Sequence, residues 1–265
     1  MALSSLAACG SVAASDPDAA GPGSDAPATD AASGLPSCTP TAASTTITTV
    51  ESANAGYGDG CIRGGWTLEA FNGTTSPVAV GKPANTALVS PTRLQSEGEV
   101  NEVNMASTYA VHVSGSGQTN NPPQSTYAQL TASLNRGSDT DVGIVDASAF
   151  SGIRFTAKLT AGIDGLRLTI GNLYTDPAGG KCVPGGADHT DCYDNPGFSL
   201  TPHGGTWERY EVRFDQLTQL GYGLPSPVGA NFPKSAITHV KWDIGIPATG
   251  ATPAWELWVD DLAFF

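Results

Sequence analysis

Three groups of side chains in this chain of 265 residues are of types that do chemistry. The first is the Asp260-Asp261 pair inside the closing stretch Trp255-Glu-Leu-Trp-Val-Asp-Asp-Leu-Ala-Phe-Phe265. Trp255, Leu257 and Val259 share one face of an extended strand, and Leu262 and Phe264 then take that face over. A period of two changes phase only where a residue is inserted, so the pair marks a β-bulge that turns a carboxylate sideways, and Asp260 becomes a candidate metal ligand. The second group is Cys182 and Cys192, with His189 between them. A zinc site there would lack a fourth ligand and any Cys-x-x-Cys knuckle. A disulfide is the better reading, and closing that polar, glycine-rich loop is worth roughly 2.5 to 3 kcal/mol in the chain-entropy model. The third group is a set of arginines and aromatics. Arg154 lies between Ile153 and Phe155 and so points away from a core; Lys158 shares its parity, and with Arg167 on the next strand the three are expected to form one polar outer face. Tyr174, Tyr193 and Tyr222 lie in loops rich in Gly, Pro and Asp, where aromatics stay exposed. The tryptophans sit in strand patterns and read as core, except Trp258, which is out of phase with Leu257 and Val259 and is expected on the surface.

Catalytic arrangements are hard to find. Ser114-Gly-Ser-Gly117 lacks the strand-to-helix setting of a nucleophile elbow. His112, His189, His203 and His239 show no metalloprotease spacing, and no carboxylate pair stands out among the 25 acidic residues. A non-enzymatic role is therefore expected.

The elements that must position these groups are strands. The chain has 32 Gly, 19 Pro and only 14% charged residues, a composition of many turns and few surface helices. Strand-like runs recur from Thr46 onward: 46–51, 66–71, 109–113, 127–131, 152–158, 166–170, 207–214, 237–244 and the closing stretch. No segment carries a sustained stripe of period 3.6. Some nine strands punctuated by turns predict an all-β domain, a jelly-roll β-sandwich of two antiparallel sheets over 46–265. Residues 10–45 are Ala, Ser, Pro, Gly, Thr and Asp with almost no large apolar side chain, and they read as a disordered linker.

Residues 1–9 end in Leu6-Ala7-Ala8-Cys9, which resembles the bacterial lipobox cleaved before a lipid-modified cysteine, although the apolar run before it is short for a complete signal. Setting Cys9 aside leaves four of the five cysteines, enough for two bridges, with Cys38 and Cys61 as the second pair. Disulfides, lipobox and linker together predict an exported protein, held at the cell surface or outer membrane by lipid, or secreted. No run approaches the ~20 apolar residues of a membrane helix, so attachment would be through lipid alone. A net charge of −13 argues against nucleic acid and against an anionic membrane surface.

Several phrases carry a family resemblance. Gly64-Gly-Trp66 with Asn72-Gly-Thr74, Tyr109-Ala-Val-His-Val113, Asp146-Ala-Ser-Ala-Phe-Ser-Gly-Ile-Arg-Phe155, Trp207-Glu-Arg-Tyr-Glu-Val-Arg-Phe-Asp-Gln-Leu217 and Val259-Asp-Asp-Leu262 stand in an order similar to that of the jelly-roll carbohydrate-binding modules, the galactose-binding-like β-sandwiches. The resemblance implies non-catalytic binding of a polysaccharide or surface glycan, with Arg154, Arg167, Tyr174, Tyr193, Tyr222 and Trp258 as candidate ligand contacts. It also implies a structural calcium where first and last strands meet, held by Glu51 and Asp260, oxygen donors of the kind Ca²⁺ prefers. Relatives open with an Asp-Asp-Phe-Glu-like strand, whereas this chain reads Thr48-Thr-Val-Glu51, so only Glu51 of those acids survives. Two other roles fit the same fold: a structural or adhesion lipoprotein that contacts a protein or matrix, and a jelly-roll polysaccharide lyase or glycoside hydrolase.

Overall fold

The computed structural model describes residues 37–41, 46–48, 56–59, 62–70, 74–75, 79–81, 110–119, 128–135, 142–159, 165–186, 189–201, 205–245 and 250–265. The expected lipobox with Cys9, most of the expected linker, Glu51 and Cys61 lie outside the described residues.

The strands are β1 (Thr46–Thr48), β2 (Gly56–Asp59), β3 (Ile62–Ala70), β4 (Thr74–Thr75), β5 (Ala79–Gly81), β6 (Ala110–Ser116), β7 (Ala128–Ser133), β8 (Gly152–Leu159), β9 (Leu166–Asn172), β10 (Gly197–Leu200), β11 (Glu208–Arg213), β12 (Ile237–Ile244) and β13 (Trp255–Phe264). Among the described residues the only helices are single 3₁₀ turns. One sheet of six strands runs β10-β9-β12-β7-β3-β2, and one of seven runs β11-β8-β13-β6-β4, with β1 on β13 and β5 on β6. All strand pairings are antiparallel. From β6 to β9 each strand crosses to the sheet opposite its predecessor, and β10 to β13 alternate in the same way, which is the winding of a jelly-roll sandwich.

The strands form because alternate residues are apolar and face the opposing sheet. Leu166, Leu168 and Ile170 of β9, Val240, Trp242 and Ile244 of β12 and Leu257 and Val259 of β13 are all buried. Aromatic rings fill the middle: Trp242 meets Phe155 edge-on at 5.2 Å, and Phe155 stacks on Tyr210 at 5.1 Å. Packing of this kind adds about 0.5–1.5 kcal/mol per ring pair beyond the area it buries. The short strands β4 and β5, with β2 and β10, were not legible as period-two runs, because stretches such as Gly-Tyr-Gly-Asp and Gly-Phe-Ser-Leu present too few alternations.

The closing strand contains the expected bulge. Asp260 pairs with Thr156 and Ala263 with Arg154, so three steps of β13 oppose two of β8. Asp261 takes the slack in the left-handed region at φ 50°. The extra residue returns Leu262 and Phe264 to the core, where both are fully buried. Asp260 is itself fully buried, and its Oδ1 accepts from the Asp261 amide at 2.8 Å.

Two expectations about faces are corrected here. Arg154 and Lys158 lie on β8 in the seven-stranded sheet, while Arg167 lies on β9 in the other, so the three do not share a face. Parity along each strand was right, but consecutive strands went to opposite sheets. Trp258 does point away from the core, yet it is only 9% exposed, because Trp207 and Ala110 pack against it and His112 stacks on its ring at 3.9 Å.

Candidate functional site

On the outer face of the six-stranded sheet the residues between the core positions line up in rows. Register places Ser199 opposite Arg167, Arg167 opposite Asp243, Asp243 opposite Gln129 and Gln129 opposite Glu69. That row crosses five strands, and its four gaps of about 4.8 Å make it about 19 Å long. The next row carries Thr169, Lys241, Thr131 and Thr67. A groove of about 1250 Å³ lies over the first row, lined by Glu69, Gln129, Arg167, Ser199 and Asp243 together with Lys241 of the second row, with Asp191, Tyr193, Leu220 and Tyr222 added by two loops.

Those loops are held by covalent and hydrogen bonds. Cys182 and Cys192 form a disulfide with Cα atoms 5.0 Å apart, which closes the first loop as expected. Cys38 is also disulfide-bonded. Asp194, 1% exposed, organises the second loop: its carboxylate accepts from the amides of Leu220 at 3.0 Å, Gly221 at 2.8 Å and Gly223 at 3.2 Å. Gln219 donates to the carbonyls of Asp194 at 2.6 Å and Leu224 at 3.0 Å. Gly223 has to be glycine, since a Cβ there would lie 2.7 Å from the Asp191 carbonyl oxygen and the Asp194 Cβ.

Both rim tyrosines follow from this framework. Tyr193 sits at φ 74°, a left-handed conformation costly for a bulky residue, and is pinned by its amide to the Thr175 carbonyl at 2.8 Å. Tyr222 Oη donates to the Tyr193 carbonyl at 2.9 Å. The two rings remain 49% and 52% exposed, and Leu220 beside them is 68% exposed. The rim therefore presents aromatic surface fixed in place before any ligand arrives.

The floor is electrostatically tense. Burial raises the Asp243 carboxyl above the usual carboxylate range, against the opposing pull of Lys241, a hydrogen bond from Thr169, and Arg167. Burial also lowers the Arg167 pKa, against Asp243, Asp194 and Tyr222, although a guanidinium stays charged at any physiological pH. Tyr222 is pushed up by burial and by the negative charges of Asp194, Asp243 and Asp191. Arg167 and Asp243 are register partners, but the guanidinium turns the other way, donating from Nη2 to the Thr218 carbonyl and from Nη1 to Ser199 Oγ at 3.5 Å. Gly197 makes room for that path, since a Cβ there would lie 2.8 Å from Arg167 Nε. Lys241, 7% exposed, donates to Gln129 Oε1 at 3.2 Å.

Two residues before Lys241 on β12, the His239 ring packs against Gly171, whose missing Cβ would stand 2.0 Å from its Cε1. His239 Nδ1 lies 3.2 Å from Asp176 Oδ2, and its Nε2 lies 3.4 Å from Asn195 Nδ2. Burial alone would raise the Asp176 pKa, but the bond and charge of His239 and the Ala178 amide outweigh it and hold it at about 2.

Of the residues expected from sequence to meet a ligand, the structure brings Arg167, Tyr193 and Tyr222 to the groove. Arg154 and Trp258 are on the far sheet. Tyr174 lies in the turn after β9 and takes Lys181 Nζ over its ring at 4.8 Å. Sequence reasoning missed Asp243, Lys241, Gln129, Glu69 and Asp194. The alternation in Ile237-Thr-His-Val-Lys-Trp-Asp-Ile244 did signal that His239, Lys241 and Asp243 face outward; nothing in it signalled which strands would flank them. Among the described residues no three His, Cys, Asp or Glu side chains gather closely enough to hold a metal. Of the expected calcium pair, Asp260 is buried beside the β1–β13 pairing, and Glu51 is outside the described residues.

No protein-family model matches the chain, and no curated protein matches it in sequence. Among solved structures it is similar to the family 11 carbohydrate-binding module of the cellulosomal cellulase Lic26A-Cel5E of Clostridium thermocellum, at 14% identity and a TM-score of 0.45 over 83% of this chain and 92% of that one. It is also similar to TmCBM61 in complex with β-1,4-galactotriose, at 13% identity and a TM-score of 0.33 over 76% of this chain and 87% of that one. A third likeness is to part of an exo-β-agarase, at 9% identity and a TM-score of 0.37 over 75% of this chain and 23% of that one.

Proposed function

We propose that this domain binds a polysaccharide in the groove of the six-stranded sheet without altering it chemically. The observation that carries the reading is the polar row from Ser199 to Glu69, about 19 Å long, flanked by the fixed rings of Tyr193 and Tyr222. Sugar rings have apolar faces and hydroxyl edges; exposed tyrosines suit the first, and amide, carboxylate and ammonium groups on a rigid sheet suit the second. Among the described residues the exposed large apolar side chains are Val183, Tyr193, Leu220, Tyr222 and Val228, all of them in loops and none on a sheet face, which favours a glycan over a protein partner. A glycan array probed with the full chain tests the reading. Binding to at least one polysaccharide, lost when Tyr193 and Tyr222 are both changed to Ala, is the expected result; a folded protein that binds none refutes it.

Hydrolysis has one observation in its favour, since Glu69, Asp191 and Asp243 are carboxylates lining one groove. In register the backbones of Glu69 and Asp243 stand two strand gaps apart, roughly 10 Å. Release of reducing ends from the bound polysaccharide would reverse the preference for binding.

The Cys182–Cys192 bridge belongs to an oxidising compartment. The anchor follows as part of the same proposal: export with lipid on Cys9, checked by labelling with a fatty acid and its loss in Cys9→Ser. A structural calcium on Asp260 and Glu51 is proposed on the same footing, because a buried carboxylate at the meeting of first and last strands is a hard oxygen donor.

A further inference from the structure

Among the described residues, two buried polar atoms on neighbouring strands of the groove floor have no hydrogen-bond partner: Arg167 Nε and Asp243 Oδ1. Native structures leave only a few such atoms per hundred residues unmatched, and these two stand side by side, Arg167 on β9 pairing in register with Asp243 on β12, whose carboxylate is also bonded by the Thr169 side chain. We propose that this pair is a hydroxyl-reading subsite in which Asp243 selects neutral glycans and makes their affinity fall on acidification; the inference rests on the glycan reading of the groove.

The ligand class follows from the chemistry of the two atoms. Arg167 Nε–H can only donate and ionised Asp243 can only accept. A group that meets both must itself accept and donate, and a sugar hydroxyl does so. A carboxylate, sulfate or phosphate would satisfy Arg167 but stand against Asp243, with Glu69 and Asp191 also on the lining. An ammonium would satisfy Asp243 but meet Arg167 and Lys241.

Acidity enters through the same carboxylate. It faces Lys241 and His239 along its own strand, Arg167 from β9, uncharged Gln129 from β7 with Glu69 beyond, and Tyr222 from the loop. Burial is the largest influence and raises its pKa, so the proton arrives at a higher pH than for an ordinary aspartate. Once protonated, Asp243 offers a weaker acceptor, and the hydroxyl loses a charge-assisted bond. Affinity is therefore highest above that pKa and falls as pH drops through it, while bound glycan in turn draws the pKa down.

The test uses the full chain with three polymers: a soluble β-1,3-1,4-glucan and a β-1,4-galactan as neutral probes, and polygalacturonate as the anionic one. Titrations run from about pH 7 to about pH 4, with a melting curve at each pH to confirm the fold. At least one neutral polymer should bind, about tenfold more weakly at the acid end, and polygalacturonate should not. Asp243→Asn, which keeps the shape, should bind about tenfold more weakly at pH 7 with a flat pH profile, yet melt no lower than the parent because a buried charge has gone. A residue of merely structural role would move affinity and melting point down together. Asp243→Asn with parental affinity and pH profile, or preference for polygalacturonate, overturns the inference while the glycan reading stands. Failure of the parent to bind either neutral probe here, or any polysaccharide on the array, overturns both.

Discussion

Replacing Asp194 by Ala tests whether the tyrosine rim is built by the buried carboxylate beneath it. Three amides, those of Leu220, Gly221 and Gly223, lose a charged acceptor at 3.0, 2.8 and 3.2 Å. Hydrogen bonds to a charged group contribute about 1.5–3 kcal/mol each. The lower figure applies here, because a loop that loosens lets its amides reach water, and three bonds then amount to about 4.5 kcal/mol. For a domain of this size about 2–4 °C of melting temperature goes with each kcal/mol, so Asp194→Ala should melt about 9–18 °C below the parent. Asp194→Asn keeps one carbonyl oxygen and should lose about half as much. Circular dichroism melts give the stability, and titration with whichever polysaccharide the parent binds gives the second readout. Loss of the loop frees Tyr222 from the Tyr193 carbonyl, so affinity should fall about tenfold even well below the melting point, the ordering entropy now being spent on binding. A melting temperature within about 2 °C of the parent would refute the energetic argument. An unchanged affinity alongside a large loss of stability would refute the claim that Asp194 positions the rim.

Three further outcomes are expected. The Asp176 carboxyl, held at about 2 by His239 and the Ala178 amide, should add about 2 kcal/mol of stability that is complete above about pH 4 and disappears as pH falls toward 2, so acid unfolding of Asp176→Asn should show a flatter limb over that window. Tyr222→Phe should keep polysaccharide affinity and lose about 1 kcal/mol of stability with its bond to the Tyr193 carbonyl, whereas Tyr222→Ala should lose roughly tenfold in affinity, both read by titration and chemical denaturation. If calcium binds at Asp260, free ion at a hundredfold its dissociation constant stabilises the fold by about 2.7 kcal/mol; chelation should lower the melting point of the parent and leave Asp260→Asn unmoved, and a parent indifferent to chelator and added calcium would leave Asp260 as a cap on the Asp261 amide.

What the sequence determined by itself is local. Alternation in β8, β9, β12 and β13 marked which side chains face inward, because successive side chains of a strand point to opposite faces whatever lies beside it. The phase break at Asp260-Asp261 announced the bulge for the same reason, and the ten-residue spacing of Cys182 and Cys192 was enough for their bridge. What only the tertiary structure decided is long-range. Parity says that Arg154 and Arg167 both point outward, but the crossing of β8 and β9 to different sheets put them on opposite sides of the sandwich. Trp258 has the outward parity of a surface residue and is covered by Trp207, which lies 51 positions away in the chain. The row from Ser199 to Glu69 draws on five strands whose order in the sheet, β10-β9-β12-β7-β3, bears no simple relation to their order in the chain. Asp194 looks like an ordinary loop aspartate until residues 219–224 fold over it. Each of these depends on which distant segments pair, a choice made by the burial of both sheets at once, and no single strand's pattern contains it.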